Sequence, residues 1–595
     1  MKKILIFICI IAMILSSCSS LSVDLESTTN SAADDTTEST SLADSTMEEH
    51  STAEESEAVS ESESVADTTT EELSCSESSE SSVESESVTD NTEETSGSSQ
   101  ETIATEEKTD ATTEPDACAD EHLDVNNDAL CDNCGISVVI VLDIFAINDL
   151  HGKLCDSSSQ IGVDEMTTYL KNKYASEDHV LILSSGDMWQ GSSESNLTRG
   201  LIVTEWMNEL DFVSMTLGNH EYDWGEEFIK SNAEIAEFPF LAINVYDADT
   251  DERVEYCTPS VMVERGGATI GIIGAIGDVY SAISSERTEG VYFKVGSALT
   301  ALVREEAIRL REAGADFIIY SVHDGYGQTV SGTAQVSNSQ ISDYYNAVLS
   351  EGYVDIVFEG HTHRSYVLLD GEGVYHLQNS GDNGGISYAE AVINFANGES
   401  VVREAKFISS STYSSLEGDP IVDTLMEKYK DQVSEGDRVL GYNIKYRNSD
   451  ELRRVLAQLY LETGLEAFGD EYDIVLGGAY MKVRSPGYLP RGNVTFGQLQ
   501  GLFPFENALV LCSVKGSDLL RCFINTSNSN YYISYSSYGD LVKGDIDPNA
   551  TYYIVTDTYT STYAPNNLTE IARYSDDVFA QDLLAEYTEN GGFAK

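Results

Sequence analysis

Basic residues are scarce in this 595-residue chain: 33 Lys plus Arg stand against 102 Asp plus Glu, for a formal net charge of −69. A protein so acidic repels a polyanion and gains nothing from counterion release, which argues against a nucleic-acid polymer as partner or substrate. Cysteine is sparse as well. Ten in 595 residues cannot staple the chain as a disulfide scaffold. Aromatic side chains are scarce between Ser19 and Ala117, where about 29 acids meet a single base, Lys108. Such a stretch cannot offset its ordering entropy by burial, so 18–117 is predicted to be a disordered acidic tether rich in Ser, Thr and Glu, extended by self-repulsion. About 28 units of the negative charge therefore lie on the tether, and about 43 stay with the remaining, apolar-rich chain.

What is present begins with Lys2 and Lys3 followed by an apolar run from Ile4 to Leu15. That run fits a secretory signal over 1–17 and is short for a spanning helix. It ends Leu15-Ser16-Ser17-Cys18, which resembles a bacterial lipobox. The resemblance implies lipidation of Cys18, export, and tethering to the outer face of a bacterial cell membrane.

After the tether, 118–135 holds a small Cys/His/Asp-rich knot with Cys118, His122, Cys131 and Cys134. These four can form a Cys3His site for a structural zinc, because tetrahedral zinc accepts that set. Disulfides fit the same cysteines outside the cell. Asp124, Asn126 and Asp128 mimic the opening of a calcium loop, but Ala129 stands at the turn glycine and the closing Glu is missing. A standard EF-hand is thereby excluded, although a structural calcium is not.

From Val138 the pattern turns to short apolar runs that read as buried strands between helical stretches: Val138 to Ile147, Val180 to Leu183, Val213 to Leu217, Phe317 to Val322 and Ile356 to Phe358. Each run is followed by donors. In order these are Asn148-Asp149-Leu150-His151-Gly152, Gly186-Asp187, Gly218-Asn219-His220-Glu221-Tyr222-Asp223, His323, and Gly360-His361-Thr362-His363. Asp149 and His151, like His361 and His363, are two apart and share a side in an extended segment. Two divalent metals need mixed N and O ligands and a shared carboxylate, and Asp187 is the natural bridge.

Taken together, NDLHG, GDMWQG, GNHEYDWG and GHTH resemble the 5'-nucleotidase branch of the calcineurin-like metallophosphoesterase superfamily. The resemblance runs from Val138 to the C-terminus. It implies an α/β fold, a four-layer αββα metallophosphoesterase sandwich over 138–410, then a linker helix over 411–437 and an α+β 5'-nucleotidase C-terminal domain over 438–590. It also implies one metal on Asp149, His151, Asp187 and His363, a second on Asp187, Asn219, His323 and His361, and a catalytic dyad of His220 and Asp223. The ions could be Zn, Mn, Fe or Co. The implied chemistry is attack of metal-activated water on phosphorus, with His220 stabilising developing charge or protonating the leaving oxygen.

Asp419-Pro420 starts the linker helix, with Asp as N-cap and Pro at the first helical position. Beyond it, Gly477 to Arg484, Gly492 to Thr495 and Phe503 to Asn507 resemble the family's substrate-binding blocks. The resemblance puts the substrate phosphate on Arg484 and the base on Phe505, Asn507 and Tyr559. Arg447 and Arg491 match further phosphate contacts loosely. The chain departs from the family where Tyr480 to Val483 replace small residues, and where Thr562 to Asn567 replace a Gly-Gly-Asp-Gly block. These departures spare the phosphate chemistry and put strict nucleoside 5'-monophosphate specificity in question.

The expected protein is thus a surface-anchored, monomeric dimetal phosphohydrolase acting on small nucleotides, foremost nucleoside 5'-monophosphates. The alternatives are a UDP-sugar hydrolase or a 2',3'-cyclic nucleotide phosphodiesterase and, in another class, a non-catalytic surface binding module. An intact donor set argues against the last, and the acidic surface argues against a secreted nuclease.

Overall fold

The computed structural model describes residues 129–132, 137–156, 161–176, 179–279, 282–337, 353–480, 482–524, 532–535, 544, 546–562 and 566–595. The signal segment, Cys18, the acidic tether, and Cys118, His122 and Cys134 of the knot lie outside the described residues. Cys131 is described and buried.

The five apolar runs form strands Val139–Ile147, Val180–Ser184, Ser214–Thr216, Phe317–His323 and Ile356–Glu359. Three of them are central to a six-stranded sheet whose order is Glu399–Ser409, Gly385–Asn394, Val139–Ile147, Val180–Ser184, Ser214–Thr216 and Phe240–Leu241. The last four run parallel. The other two runs sit side by side in a seven-stranded sheet, between Tyr375–Gln378 and Ala268–Ile276. Parallel strands covered on both faces are apolar almost throughout, and all seven residues of Phe317–His323 are buried.

One cluster, including Leu142, Ile144, Leu181, Phe317, Ile319 and Phe358, draws on both sheets and is the core between them. The outer face of the first sheet is covered by helices Asp164–Ser176, Leu201–Asn208 and Glu226–Ile235, through Met166, Leu170, Trp206 and Ile229. Helix Ser297–Glu312 covers the second sheet through Val303, Ala307 and Leu310. The result is the four-layer αββα sandwich. At about 25 cal/mol per Å² of apolar surface, burying each large side chain of this core contributes roughly 1.5–3 kcal/mol.

After the sandwich come helices Ile421–Lys428 and Lys430–Val433. The N-cap of the first is Pro420 and its first helical residue is Ile421, each one position later than the sequence suggested; Asp419 Oδ1, just outside the helix, accepts from Ile421 N (3.0 Å). The C-terminal part is built on a five-stranded mixed sheet ordered Tyr532–Tyr535, Ile474–Ala479, Thr551–Asp557, Leu509–Lys515 and Thr569–Arg573. Helix Ser449–Phe468 packs on it through Leu452, Leu456, Tyr460 and Leu461. Its start is fixed by a capping box between Asn448 and Glu451. Cys512 and Cys522 are not disulfide-bonded. All described residues belong to a single unit, and the C-terminal part meets the sandwich through the ion pair of Arg199 with Glu506 (2.7 Å) and the hydrogen bond from Ser193 Oγ to Gln500 Oε1 (3.0 Å).

Candidate active site

Each donor block lies where a parallel strand ends and the chain turns, the place where open α/β sheets collect ligand-binding groups. The turns are tight enough to force five donors, Asp149, His151, Asp187, His361 and His363, into the left-handed region, with φ of 52°, 52°, 56°, 70° and 52°. Residues with a Cβ occupy that region at a cost of order 1–3 kcal/mol, and such strain collects at functional sites. Two glycines make room for the donors. A Cβ on Gly218 would lie 2.3 Å from Asp187 Oδ1, and one on Gly360 would lie 2.8 Å from His323 Nδ1.

The donors gather in two adjoining groups. In the first, His151 Nε2 faces His363 Nε2 at 3.1 Å, and His363 Nε2 is 3.2 Å from Asp149 Oδ1. In the second, His323 Nε2 lies 3.1 Å from Asp187 Oδ2 and 3.2 Å from Asn219 Oδ1, which is itself 2.8 Å from His361 Nδ1. The far atoms of two of these rings are engaged. His151 Nδ1 donates to the Gln190 carbonyl (2.8 Å) and His323 Nδ1 to the Ser185 carbonyl (2.7 Å). His151, kept neutral, is thereby held in the tautomer that turns the Nε2 lone pair inward.

Asp149 uses one oxygen, Oδ2, to accept from Asn148 Nδ2 (2.6 Å) and His361 N (2.9 Å). Its other oxygen, Oδ1, is fully buried without a hydrogen-bond partner and points at the two imidazoles. A buried, orphaned carboxylate oxygen beside two converging imidazole nitrogens is what a divalent cation would satisfy. The groups Asp149, His151, His363 and Asp187, His323, His361 each bring their ligand atoms within 4.8 Å of one another, so the His and Asp clusters fit divalent metals.

The charges are organised by burial and by neighbours. Burial, with Arg484 nearby, holds His151 well below the ordinary imidazole range, and burial holds His361 down to about 4. Both stay neutral and able to ligate. Burial alone would raise Asp187, but His323 and His220 beside it bring its carboxyl well below the usual range. His220 is raised: burial opposes its charge, and Asp223 and Asp187 outweigh burial.

His220 Nδ1 lies 2.7 Å from Asp223 Oδ2, on a short 3-10 turn, His220–Tyr222, that brings the pair together. On the opposite side of the ring, Arg484 Nη2 is 2.8 Å from His220 Nε2. Phe505 stands against His220 with ring centroids 5.8 Å apart and carries the Arg484 guanidinium 5.2 Å over its face. The structure therefore brings His220, Asp223, Arg484 and Phe505 into one group beside the two donor clusters. Asn507 is half-buried in the loop after Phe505. Tyr559, at the start of helix Thr558–Thr562, stacks nearly parallel on Tyr480, centroids 6.3 Å apart. Arg447 is used elsewhere: it donates to Asn443 Oδ1 (3.0 Å) and lies over the Phe593 ring, as a packing residue of the C-terminal part. Arg491 is exposed at the bend before strand Gly492–Thr495.

Two residues escaped sequence reasoning. Glu221, buried inside the GNHEYDWG block, accepts from Asp187 N (3.0 Å), Met188 N (2.8 Å) and Gly218 N (2.6 Å), and so ties the Asp187 turn to the Asn219 turn. Its signal was a carboxylate between His and Tyr, where a solvated charge is the usual expectation. Cys155 is disulfide-bonded. None of the four other described cysteines is in a disulfide.

A calcineurin-like phosphoesterase family model matches residues 142–365. Residues 142–365 are a calcineurin-like phosphoesterase domain. The chain is 26% identical to an apyrase of Tabanus yao over 64% of its own length and 72% of the relative. It is also 26% identical to Endonuclease YhcR of Bacillus subtilis, over 71% of the chain but only 37% of that longer protein. Further relatives carry the name 5'-nucleotidase. Among solved structures, a 5'-nucleotidase precursor from Thermus thermophilus superposes with a TM-score of 0.59, covering 76% of this chain and 96% of its own at 18% identity, which is a likeness of fold. The chain is a hydrolase carrying that domain, so the alternative of a non-catalytic binding module falls away. No helix among the described residues is long and apolar enough to cross a membrane.

Proposed function

We propose that the protein is a dimetal phosphohydrolase that dephosphorylates small nucleotides, foremost nucleoside 5'-monophosphates. One observation carries this reading: Arg484 and Asp223 flank opposite edges of the His220 ring (2.8 and 2.7 Å) beside the two donor clusters. Asp149, His151, Asp187 and His363 would hold one ion, and Asp187, Asn219, His323 and His361 the second. When bound, such a pair supplies Lewis acidity that lowers the pKa of water and neutralises phosphoryl oxygens.

The chain's own residues do the rest. Arg484 offers a planar, permanently charged fork to the non-bridging oxygens of the phosphate. Asp223 fixes Nδ1 of His220; Nε2, met by Arg484 Nη2 at 2.8 Å in this structure, turns to the leaving oxygen once the phosphate draws the guanidinium to itself, and hands that oxygen a proton as the P–O bond breaks. Phe505 covers that edge of the site against water and offers a face for a base, with Asn507 and Tyr559 completing the base contacts. Because an aromatic face stacks on any base, recognition is tolerant of base identity.

The enzyme works outside the cytoplasm, lipid-anchored through Cys18, on the outer face of a bacterial cell membrane, and as a monomer. The disulfide at Cys155 supports export, since such bonds persist in oxidising compartments. The test is phosphate release by the purified protein with Mn2+ from AMP, UDP-glucose, a 2',3'-cyclic nucleotide and single-stranded DNA. AMP is expected to turn over fastest. Preference for either of the next two transfers the assignment to the sugar-nucleotide or cyclic-nucleotide alternative, and preference for DNA refutes the exclusion of polymers. No turnover on any of them sinks the proposal.

A further inference from the structure

Behind the His361-Thr362-His363 turn lies a buried polar chain in which two donors are aimed at one carboxylate. Glu359, the last residue of strand Ile356–Glu359, is 1% exposed and precedes Gly360 and His361 directly. His376 Nδ1 donates to Glu359 Oε1 (2.7 Å), and the Tyr366 hydroxyl donates to Glu359 Oε2. The same hydroxyl accepts from Tyr326 N (2.8 Å) and Gln378 Nε2 (3.2 Å). The Gln378 amide is 2.8 Å from Thr362 Oγ1, which also donates to the Tyr326 carbonyl (3.0 Å). On the far side, Asp370 Oδ2 lies 3.7 Å from His376 Nε2. The strands Tyr366–Leu369 and Tyr375–Gln378, paired antiparallel with Tyr366 opposite Gln378, put these side chains in register.

A charged network of this kind is hard to justify by stability. His376, Tyr366 and Gln378 are at most 1% exposed, and a buried ion pair often does no better than an apolar replacement of equal volume. What it can supply is position. The links run from Glu359 through Tyr366 and Gln378 to Thr362, the residue between the two histidines. The backbone on either side of Thr362 is held at positive φ, 70° at His361 and 52° at His363.

We propose that Glu359, Tyr366 and Gln378 are positioning residues for the metal centre: through Thr362 they hold His361 toward one donor group and His363 toward the other. The inference rests on the reading of those two histidines as metal ligands. Outer partners of this kind typically change metal affinity by about 10–100-fold when removed.

The test is the variant Tyr366→Phe, which deletes one hydroxyl and keeps the ring, measured by Mn2+ titration of the full chain with calorimetry alongside its melting temperature. Both Mn2+ affinities are expected to fall by about tenfold or more, with a cooperative melt retained. Thr362→Val, which cuts the last link in a half-buried turn, should give the same loss and decides the matter if the first variant does not fold. Mn2+ affinities indistinguishable from wild type in the folded variant overturn the inference. Wild-type protein that takes up no Mn2+ overturns instead the reading of the site on which it rests.

Discussion

Arg484 and His220 stand 264 positions apart in the chain, yet the guanidinium Nη2 is 2.8 Å from the imidazole Nε2. One belongs to the C-terminal part and the other to the sandwich. The contact joins the two parts of the molecule, with Arg199 and Glu506 paired at the same boundary, so the reading proposed for the site depends on how the parts meet.

Replacing Arg484 by Ala should lower kcat/KM for AMP by about 100-fold or more, the usual loss when a donor to a developing oxyanion is removed. Arg484→Lys should recover little, because an ammonium cannot present a planar fork. Metal content should match wild type in both. Steady-state kinetics with elemental analysis checks the pair of expectations.

His220→Asn should cut turnover by about 100- to 10,000-fold, the range of a general acid, while leaving metal content near wild type. Loss of metal in this variant would show that His220 is a ligand and not a proton carrier.

Glu221 is a carboxylate enclosed by three backbone donors, and burial pushes it up to about 7. Glu221→Ala leaves those amides without an acceptor, at about 1–3 kcal/mol for each buried group left unsatisfied. A lower melting temperature and weaker Mn2+ uptake are expected, read by thermal unfolding and titration. An unchanged melting temperature would refute the tie between the two turns.

His376 is fully buried, yet Asp370 and Glu359 overcome burial and raise it to about 9. An unfolded histidine titrates near about 6.5. Because the folded value is the higher one, this group's stabilisation is complete below about pH 6.5 and is lost as pH rises towards 9, at up to about 1.4 kcal/mol per unit. Chemical denaturation across that window should show His376→Leu with a shallower decline than wild type. Parallel declines would refute the assignment.

How far the sequence could be read is visible in particular residues. The five apolar runs appear as strands with ends within a residue or two of expectation, because burial on both faces of a parallel sheet writes itself as continuous Val, Ile and Leu. The donors were legible because each follows such a run. Arg447 was not: a guanidinium matching a phosphate contact in sequence donates to Asn443 and covers Phe593. Only packing distinguishes a cation aimed at a ligand from one aimed at a ring. Tyr559 stacks on Tyr480, a neighbour far away in the chain that no local pattern reveals.

By itself, then, the sequence determined the kind of chemistry and the strands that carry it, since donor types, apolar periodicity and charge distribution are local properties of the chain. The tertiary structure alone decided which atoms meet: the facing nitrogens of His151 and His363, the orphaned oxygen of Asp149, the Glu221 tie and the approach of Arg484 to His220. These depend on distances between residues far apart in the chain, fixed by how two sheets and a second domain pack, and such distances are not encoded in any window of neighbouring residues.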